Sequence, residues 1–204
     1  MREISKPKTK KYKRSYLAKP LINWHIRLAA HAVQQGGVIA YPTEAVYGLG
    51  CSPWDEEAIQ KLLQLKRRPR NKGFIVVAAN VAQLRPLVCF DNVDCLESIL
   101  RTWPGPVTWI LPIQKGAPAS LTGNFDGLAV RVSAHPLVRD LCEICGPLVS
   151  TSANLSNTKP ARSIMEVRNY FHNQLNFILP GKLGDESGPS EIRHGGSGEI
   201  LRKR

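Results

Sequence analysis

Apolar positions recur along the chain with two periods, and the switches between them outline the elements. In "NWHIRLAAHAVQQGG", Trp24, Leu28, Ala32 and Val33 fall at helical spacing, and the pattern stops at Gly36-Gly37. "GVIAY" follows as a buried strand and breaks at Pro42. Asp55 stands where it can cap a helix "EEAIQKLLQLK", with Ile59, Leu62, Leu63 and Lys66 on adjacent turns. "GFIVVAA" predicts a second buried strand, "VAQLRPLV" and "NVDCLESILRTW" two helical segments, and "PVTWILPI" a strand of β-branched and aromatic character. The alternation continues with strand "GLAVRVS", a helix over Leu137 to Ile144, strand "PLVST", helix "SIMEVRNYFHN" and strand "NFIL". "SEIRHGGSGEILRK", centred on Gly195, Gly196 and Gly198, predicts a terminal hairpin. Helices mixed with some consecutive strands point to an α/β or α+β single domain built on a twisted mixed sheet.

Length and composition agree, since 204 residues with 43% hydrophobic content suit one domain with a real core. No run approaches the roughly 20 apolar residues of a membrane helix. The basic N-terminus lacks the apolar stretch of a signal peptide, so the chain is expected to be soluble and cytoplasmic. Five scattered cysteines argue against a disulfide framework. Cys142 and Cys145 form a lone CxxC, but Leu137, Val138, Leu141 and Ile144 share a helix face with it, which favours core packing.

Charge changes the picture more. The 28 basic and 16 acidic residues give +12, and residues 1 to 20 hold eight of the cations against one acid. That tail is too polar to bury anything and is expected to be flexible in isolation, ahead of a domain over residues 21 to 204. It reads either as a solubilising extension or as an RNA-binding arm that gains affinity through counterion release.

Four stretches could carry chemistry. Gly48-Leu49-Gly50 lacks the third glycine and helix start of a dinucleotide fingerprint, and no GxxxxGK[ST] loop exists. What remains there is a strand entering a polar turn, with Thr43 and Glu44 where α/β sheets hold ligands; alternatively Thr43 only bonds a turn amide. "LKRRPRNKG" crowds Lys66, Arg67, Arg68, Arg70 and Lys72 at a helix end, more cations than the dipole calls for, which favours a polyanion site. "PLVSTSANLSN" empties into Ser150, Thr151, Ser152, Asn154 and Ser156, suited to phosphate oxygens, a base edge or an amino acid, or else a hydroxyl-rich turn. Arg131, between apolar residues in "LAVRVS", needs an anionic partner or a wet cleft.

"YPTEAVYGLG", "LKRRPRNKG", "WPGPVT", "LAVRV", "HPL", "STSANLS" and "PSEIR" resemble, in order and spacing, the TsaC (YrdC) family of threonylcarbamoyl-AMP synthases. The resemblance spans about Trp24 to Arg202 and implies one domain with a twisted mixed parallel and antiparallel sheet, flanked by helices around a concave basic cleft. It implies that L-threonine, bicarbonate and ATP yield L-threonylcarbamoyladenylate and pyrophosphate. Partner proteins would pass the threonylcarbamoyl group to the adenosine 3′ of the anticodon. The family's tetrad would fall on Lys66, Arg68, Ser152 and Asn154. Its threonine contacts would fall on Thr43, Arg131, Ser150 and Ser190, and its ATP contacts on Arg68, Lys72, Ser152 and Arg202. Two positions depart from the pattern: Asn157 stands where glycine is usual, and Val77 where longer relatives carry histidine. Asn tolerates the left-handed conformation better than most residues.

The implied chemistry needs no protein nucleophile. Threonine's amine adds to bicarbonate or carbon dioxide, and the carbamate oxygen attacks the α-phosphate while Lys and Arg hold both anions. Mg²⁺ would ride on the phosphates with few protein ligands. Two rivals stand: a non-catalytic protein that binds double-stranded RNA or tRNA through tail and cleft, and a different nucleotide-dependent carbamoyl or acyl transferase. Deleting residues 1 to 20 is expected to leave adenylate formation nearly unchanged and to weaken salt-sensitive RNA binding; a large loss of synthase activity would instead make the tail part of the site.

Overall fold

The computed structural model describes residues 18–91 and 93–203. Apart from its last three positions, the basic tail lies outside the described residues. Helix α1 (Ala18–Gln34) starts inside the stretch read as tail and ends near the expected glycines. The fold continues through β1 (Ile39–Pro42), β2 (Tyr47–Cys51), α2 (Glu56–Lys66), β3 (Ile75–Ala78), α3 (Leu96–Thr102) and β4 (Val107–Pro112). It is completed by β5 (Gly127–Val132), α4 (Pro136–Cys145), β6 (Leu148–Ser152), α5 (Ile164–Phe171), β7 (Phe177–Ile178), β8 (Glu191–His194) and β9 (Ile200–Arg202). The strands form one mixed sheet in the order β7-β1-β2-β6-β3-β5-β4-β8-β9. Pairs β1/β7, β3/β5 and β4/β8 are parallel and the others antiparallel. The terminal hairpin is present as β8 and β9.

Three expectations need correction. "VAQLRPLV" makes only a 3-10 turn at Val81–Leu84, because Pro86 cannot supply the amide that would extend a helix. The second segment is helical only over Leu96–Thr102, with no side-chain cap at Cys95 to start it earlier. "YGLGC", not expected to be a strand, is the fully buried strand β2.

The reason lies across the strand pair. Tyr41 faces Gly48 in the β1/β2 register, and Gly50 faces Ser150 in the β2/β6 register. A Cβ on Gly50 would lie 2.8 Å from Cε1 of Tyr41 and 2.5 Å from the Val149 carbonyl oxygen. The glycines therefore make the trough in which the Tyr41 ring lies, an aromatic covering strand glycines. At the end of that ring the Tyr41 hydroxyl donates to Ser150 Oγ at 2.8 Å.

The pleat sorts the core onto both faces of the sheet. Ile39, Tyr41, Val77 and Leu148 pack with Ile26, Ala30 and Val33 of α1 and Val138, Leu141 and Cys142 of α4. Cys142 is thus a core residue. Ala40, Leu49, Val76, Val130 and Val149 turn the other way, against Ile59 and Leu62 of α2, Ile99 of α3 and Val167 and Phe171 of α5. Helix α2 starts as its sequence suggests, with the Asp55 carboxylate accepting from the Ala58 amide at 2.9 Å. It stops at Arg67, which adopts the left-handed conformation (φ 50°).

Just before that stop, Lys66 is only 3% exposed. Its Nζ donates to the Ser152 carbonyl, to the Asn154 carbonyl at 2.9 Å and to Asn154 Oδ1 at 3.2 Å. The end of α2 is so fastened to the turn leaving β6. Burial, with the charge of Arg68 adding to it, pulls the Lys66 ammonium down to about 7 from its ordinary 10.5.

Two stability measurements follow from this packing. Gly50→Ala is expected to destabilise the chain by about 1 to 3 kcal/mol in urea unfolding, since backbone on one side and a ring on the other resist the added methyl. For Lys66, the folded chain releases its proton at lower pH than the unfolded chain. Between about 7 and 10.5 the unfolded state therefore holds the extra proton, and stability contributed by this group rises with pH. Wild type is expected to gain on Lys66→Met by up to about 1.4 kcal/mol per pH unit in that window. Parallel pH profiles for the two proteins would contradict it.

Candidate active site

A cavity of about 480 Å³ opens on the sheet face that α1 and α4 share, beyond the reach of those helices. Its floor is set by register. Ile75 and Val77 of β3 lie opposite Ala129 and Arg131 of β5, Ile75 also faces Ser150 of β6, and Gly48 of β2 faces Ser152. Small residues along this floor keep it hollow. Thr43, Glu44, Arg68, Phe125, Ser190 and Arg202 are among the other lining residues, and the volume suits a small-molecule ligand.

Most of the expected residues meet here. Thr43, Arg68, Arg131, Ser150, Ser152, Ser190 and Arg202 all line the cavity. Lys66 and Asn154 do not; they stand behind Ser152 and hold it. The Ser152 hydroxyl donates to Asn154 Oδ1 at 2.6 Å, the oxygen that also accepts from Lys66. Asn154 Nδ2 donates in turn to the carbonyls of Leu155 and Thr158 at 2.9 and 2.7 Å. The turn closes through Asn157 at φ 66°, the left-handed conformation that glycine would otherwise serve. Ser156 locks the same turn onto α2, its hydroxyl donating to the Lys66 carbonyl at 2.9 Å.

The basic loop divides. Arg67, Arg70 and Lys72 are exposed, and Lys72 is not among the residues lining the cavity. Arg68 turns inward, donating through Nη2 to the Gly73 carbonyl at 2.8 Å, with its guanidinium carbon 5.7 Å from the centre of the Phe74 ring. Its Nε is buried and has no partner. A guanidinium fixed at one corner with a donor left over suits a fork-shaped anion.

Of the two settings its sequence position allowed, an anionic partner or a wet cleft, Arg131 has the anionic partner. Nη2 donates to Glu44 Oε2 at 3.0 Å, the two side chains each 10% exposed, and Nε is buried without a partner. Burial pushes the Glu44 carboxyl up, but Arg131 first, then the Ser133 hydroxyl and a backbone hydrogen bond, lower it below its ordinary value. The hydroxyls are equally placed. Thr43 Oγ1 donates to the Val46 carbonyl at 2.7 Å, so it shapes the turn and also faces the cavity. Burial raises the Tyr41 phenol above its ordinary value, so it stays a donor and leaves the Ser150 proton free to point elsewhere. Ser190 Oγ lies 2.9 Å from the hydroxyl of the fully buried Thr108, and its carbonyl accepts from Arg202 Nη2 at 2.7 Å.

Sequence reasoning assigned no role to Ser133, Tyr41 or Thr108, and it placed Glu44 in the ligand-holding turn without pairing it to Arg131. The pairing had a usable signal, since an anionic partner was one of the two settings open to Arg131 and Glu44 stands beside Thr43 in the polar turn. Val77, the second departure noted in the sequence, is buried on the floor opposite Arg131. Among the described residues no three His, Cys, Asp or Glu side chains cluster as a metal site, and no helix is long and apolar enough to cross a membrane.

Known proteins resemble this chain in both sequence and fold. Two curated relatives, from Pseudomonas aeruginosa and Nitrosococcus oceani, are each named threonylcarbamoyl-AMP synthase. Both are 50% identical over 181 residues, 88% of this chain and 97% and 98% of theirs. The crystal structure of P. abyssi Sua5 complexed with L-threonine superposes with a TM-score of 0.79 at 32% identity, covering 84% of this chain. The match spans about half (51%) of that Sua5 chain. A family model for Sua5, YciO and YrdC, described as "Telomere recombination", matches residues 31–203, and the chain belongs to that family.

Proposed function

We propose that the chain is a threonylcarbamoyl-AMP synthase, a nucleotidyltransferase that joins L-threonine, bicarbonate or carbon dioxide and ATP into L-threonylcarbamoyladenylate and pyrophosphate. The observation that carries the reading is one cavity lined by both Arg68 and Arg131, among the hydroxyls of Thr43, Ser150, Ser152 and Ser190. Two anions can be held side by side there, and the relatives at 50% identity bear the name of an enzyme that must do this.

The residues divide the work. Arg131 takes the amino acid's carboxylate, with Thr43, Ser150 and Ser190 around the rest of that substrate. Arg68, Ser152 and Arg202 take the nucleotide, with the exposed Lys72 beyond the rim. Lys66 and Asn154 act from behind by fixing Ser152. The amine of threonine adds to carbon dioxide and loses a proton, giving a carbamate. Its oxygen then bonds to the α-phosphorus as the bond to pyrophosphate breaks. Fixed cations favour that step because negative charge gathers on the departing phosphates. The chain supplies position and charge, and no side chain becomes covalently attached. Mg²⁺ enters with ATP as part of the substrate, carried by phosphate oxygens. The adenylate then passes to transfer proteins that modify tRNA in the cytoplasm.

The test is pyrophosphate release from Mg-ATP with threonine or bicarbonate omitted in turn, the adenylate being followed by mass spectrometry. Release is expected only with both present. Arg68→Ala is expected to lower turnover about 100-fold, as loss of a positioned charge at a phosphoryl centre does. No release from folded protein would overturn the reading, and full activity in Arg68→Ala would overturn the nucleotide assignment.

A further inference from the structure

Glu44 is bound from both ends of its carboxylate. Oε2 accepts from Arg131, and Oε1 accepts from the Ser133 hydroxyl at 2.6 Å. Ser133 is itself fixed, its amide donating to the Ala78 carbonyl at 3.1 Å and its Oγ accepting from the His135 amide at 3.1 Å. The acid is thus braced on the end of β5 just past the strand that carries Arg131.

The main chain at the same place has a second task. The Thr43 carbonyl accepts from the Gly184 amide at 3.0 Å, and the Glu44 carbonyl from the Glu186 amide at 3.1 Å. A Cβ on Gly184 would lie 2.9 Å from Glu44 Cα, so this approach needs glycine. The segment docked here leads directly to Ser190. His135 adds a tie: a carbonyl only accepts, so Nε2–H donates to the Lys182 carbonyl at 3.1 Å.

We infer that Glu44 is a positioning residue for the amino-acid end of the cavity, fixing the Arg131 guanidinium by one corner and seating the segment that presents Ser190. An arginine in a strand has a long, rotatable stem, and its neighbours Val130 and Val132 offer no hydrogen bond to the head. Glu44 removes that freedom before substrate arrives, which is how preorganisation raises affinity. The acid stays ionised through the neutral range, so its part is static and involves no proton transfer.

The inference rests on Arg131 meeting the threonine carboxylate, and the experiment separates the two. Initial rates of pyrophosphate release are measured against threonine and against ATP for wild type, Glu44→Gln, Arg131→Ala, the double variant and Ser133→Ala. Glu44→Gln is expected to raise the threonine KM about tenfold with the ATP KM within about twofold. In the Arg131→Ala background the same change is expected to shift the threonine KM less than about twofold, because Glu44 acts through Arg131. Ser133→Ala keeps the ion pair and removes one brace, and a smaller rise confined to threonine is expected. Equal rises in both KM values, or an undiminished Glu44→Gln effect without Arg131, would overturn the inference. So would a threonine KM unmoved in Glu44→Gln or in Ser133→Ala while Arg131→Ala raises it. An unmoved threonine KM in Arg131→Ala would instead overturn the site assignment beneath it.

Discussion

An ammonium group taken out of water must be met by acceptors, and the fold around the cavity supplies them to Lys66. Two carbonyls and one side-chain oxygen, from the last residue of β6 and the turn after it, converge on its Nζ. None of these acceptors would lie in register if α2 ended a residue earlier or β6 ran a residue longer. The left-handed Arg67 and Asn157 are the two points at which the chain bends to make the meeting. Ser152 owes its orientation to this arrangement, and Arg68, two residues beyond Lys66, owes it its entry into the cavity.

The sheet then decides what the cavity can be. One face is covered by α2, α3 and α5; the other is covered only in part, by α1 and α4. Strands emerging from under α1 and α4 change character, with Gly48, Ala129, Ser150, Ser152 and Arg131 set among the aliphatic Ile75 and Val77, and the small residues leave the space open. A hollow floored by a sheet is rigid, since each floor residue is held by neighbours on both sides. Charge at such a floor can be placed more accurately than on a loop.

The sequence was legible where local rules decide. The Asp55 cap, the amphipathic α2, the terminal hairpin and the core-facing Cys142 follow from spacing and residue type. The departure at Asn157 is absorbed as its chemistry suggests. β2 was hidden because two glycines in five residues weaken a strand signal, and only the Tyr41 ring lying across them explains a buried strand there. Of the site, the residues facing ligand were readable as motifs, while the braces were not. Thr108 and Ser133 look like ordinary strand hydroxyls until the sheet brings partners from 82 and 89 residues away.

The clasp of Arg202 on Ser190 carries a consequence for local stability. Arg202 belongs to β9, three exposed residues at the edge of the sheet, paired only with β8. Hydrogen bonds at such an edge open at far lower free energy than those of β3, β5 and β6. The cavity thus joins a floor that unfolds only with the whole domain to a flank that frays on its own, and amide exchange across it would be steeply graded from one wall to the other.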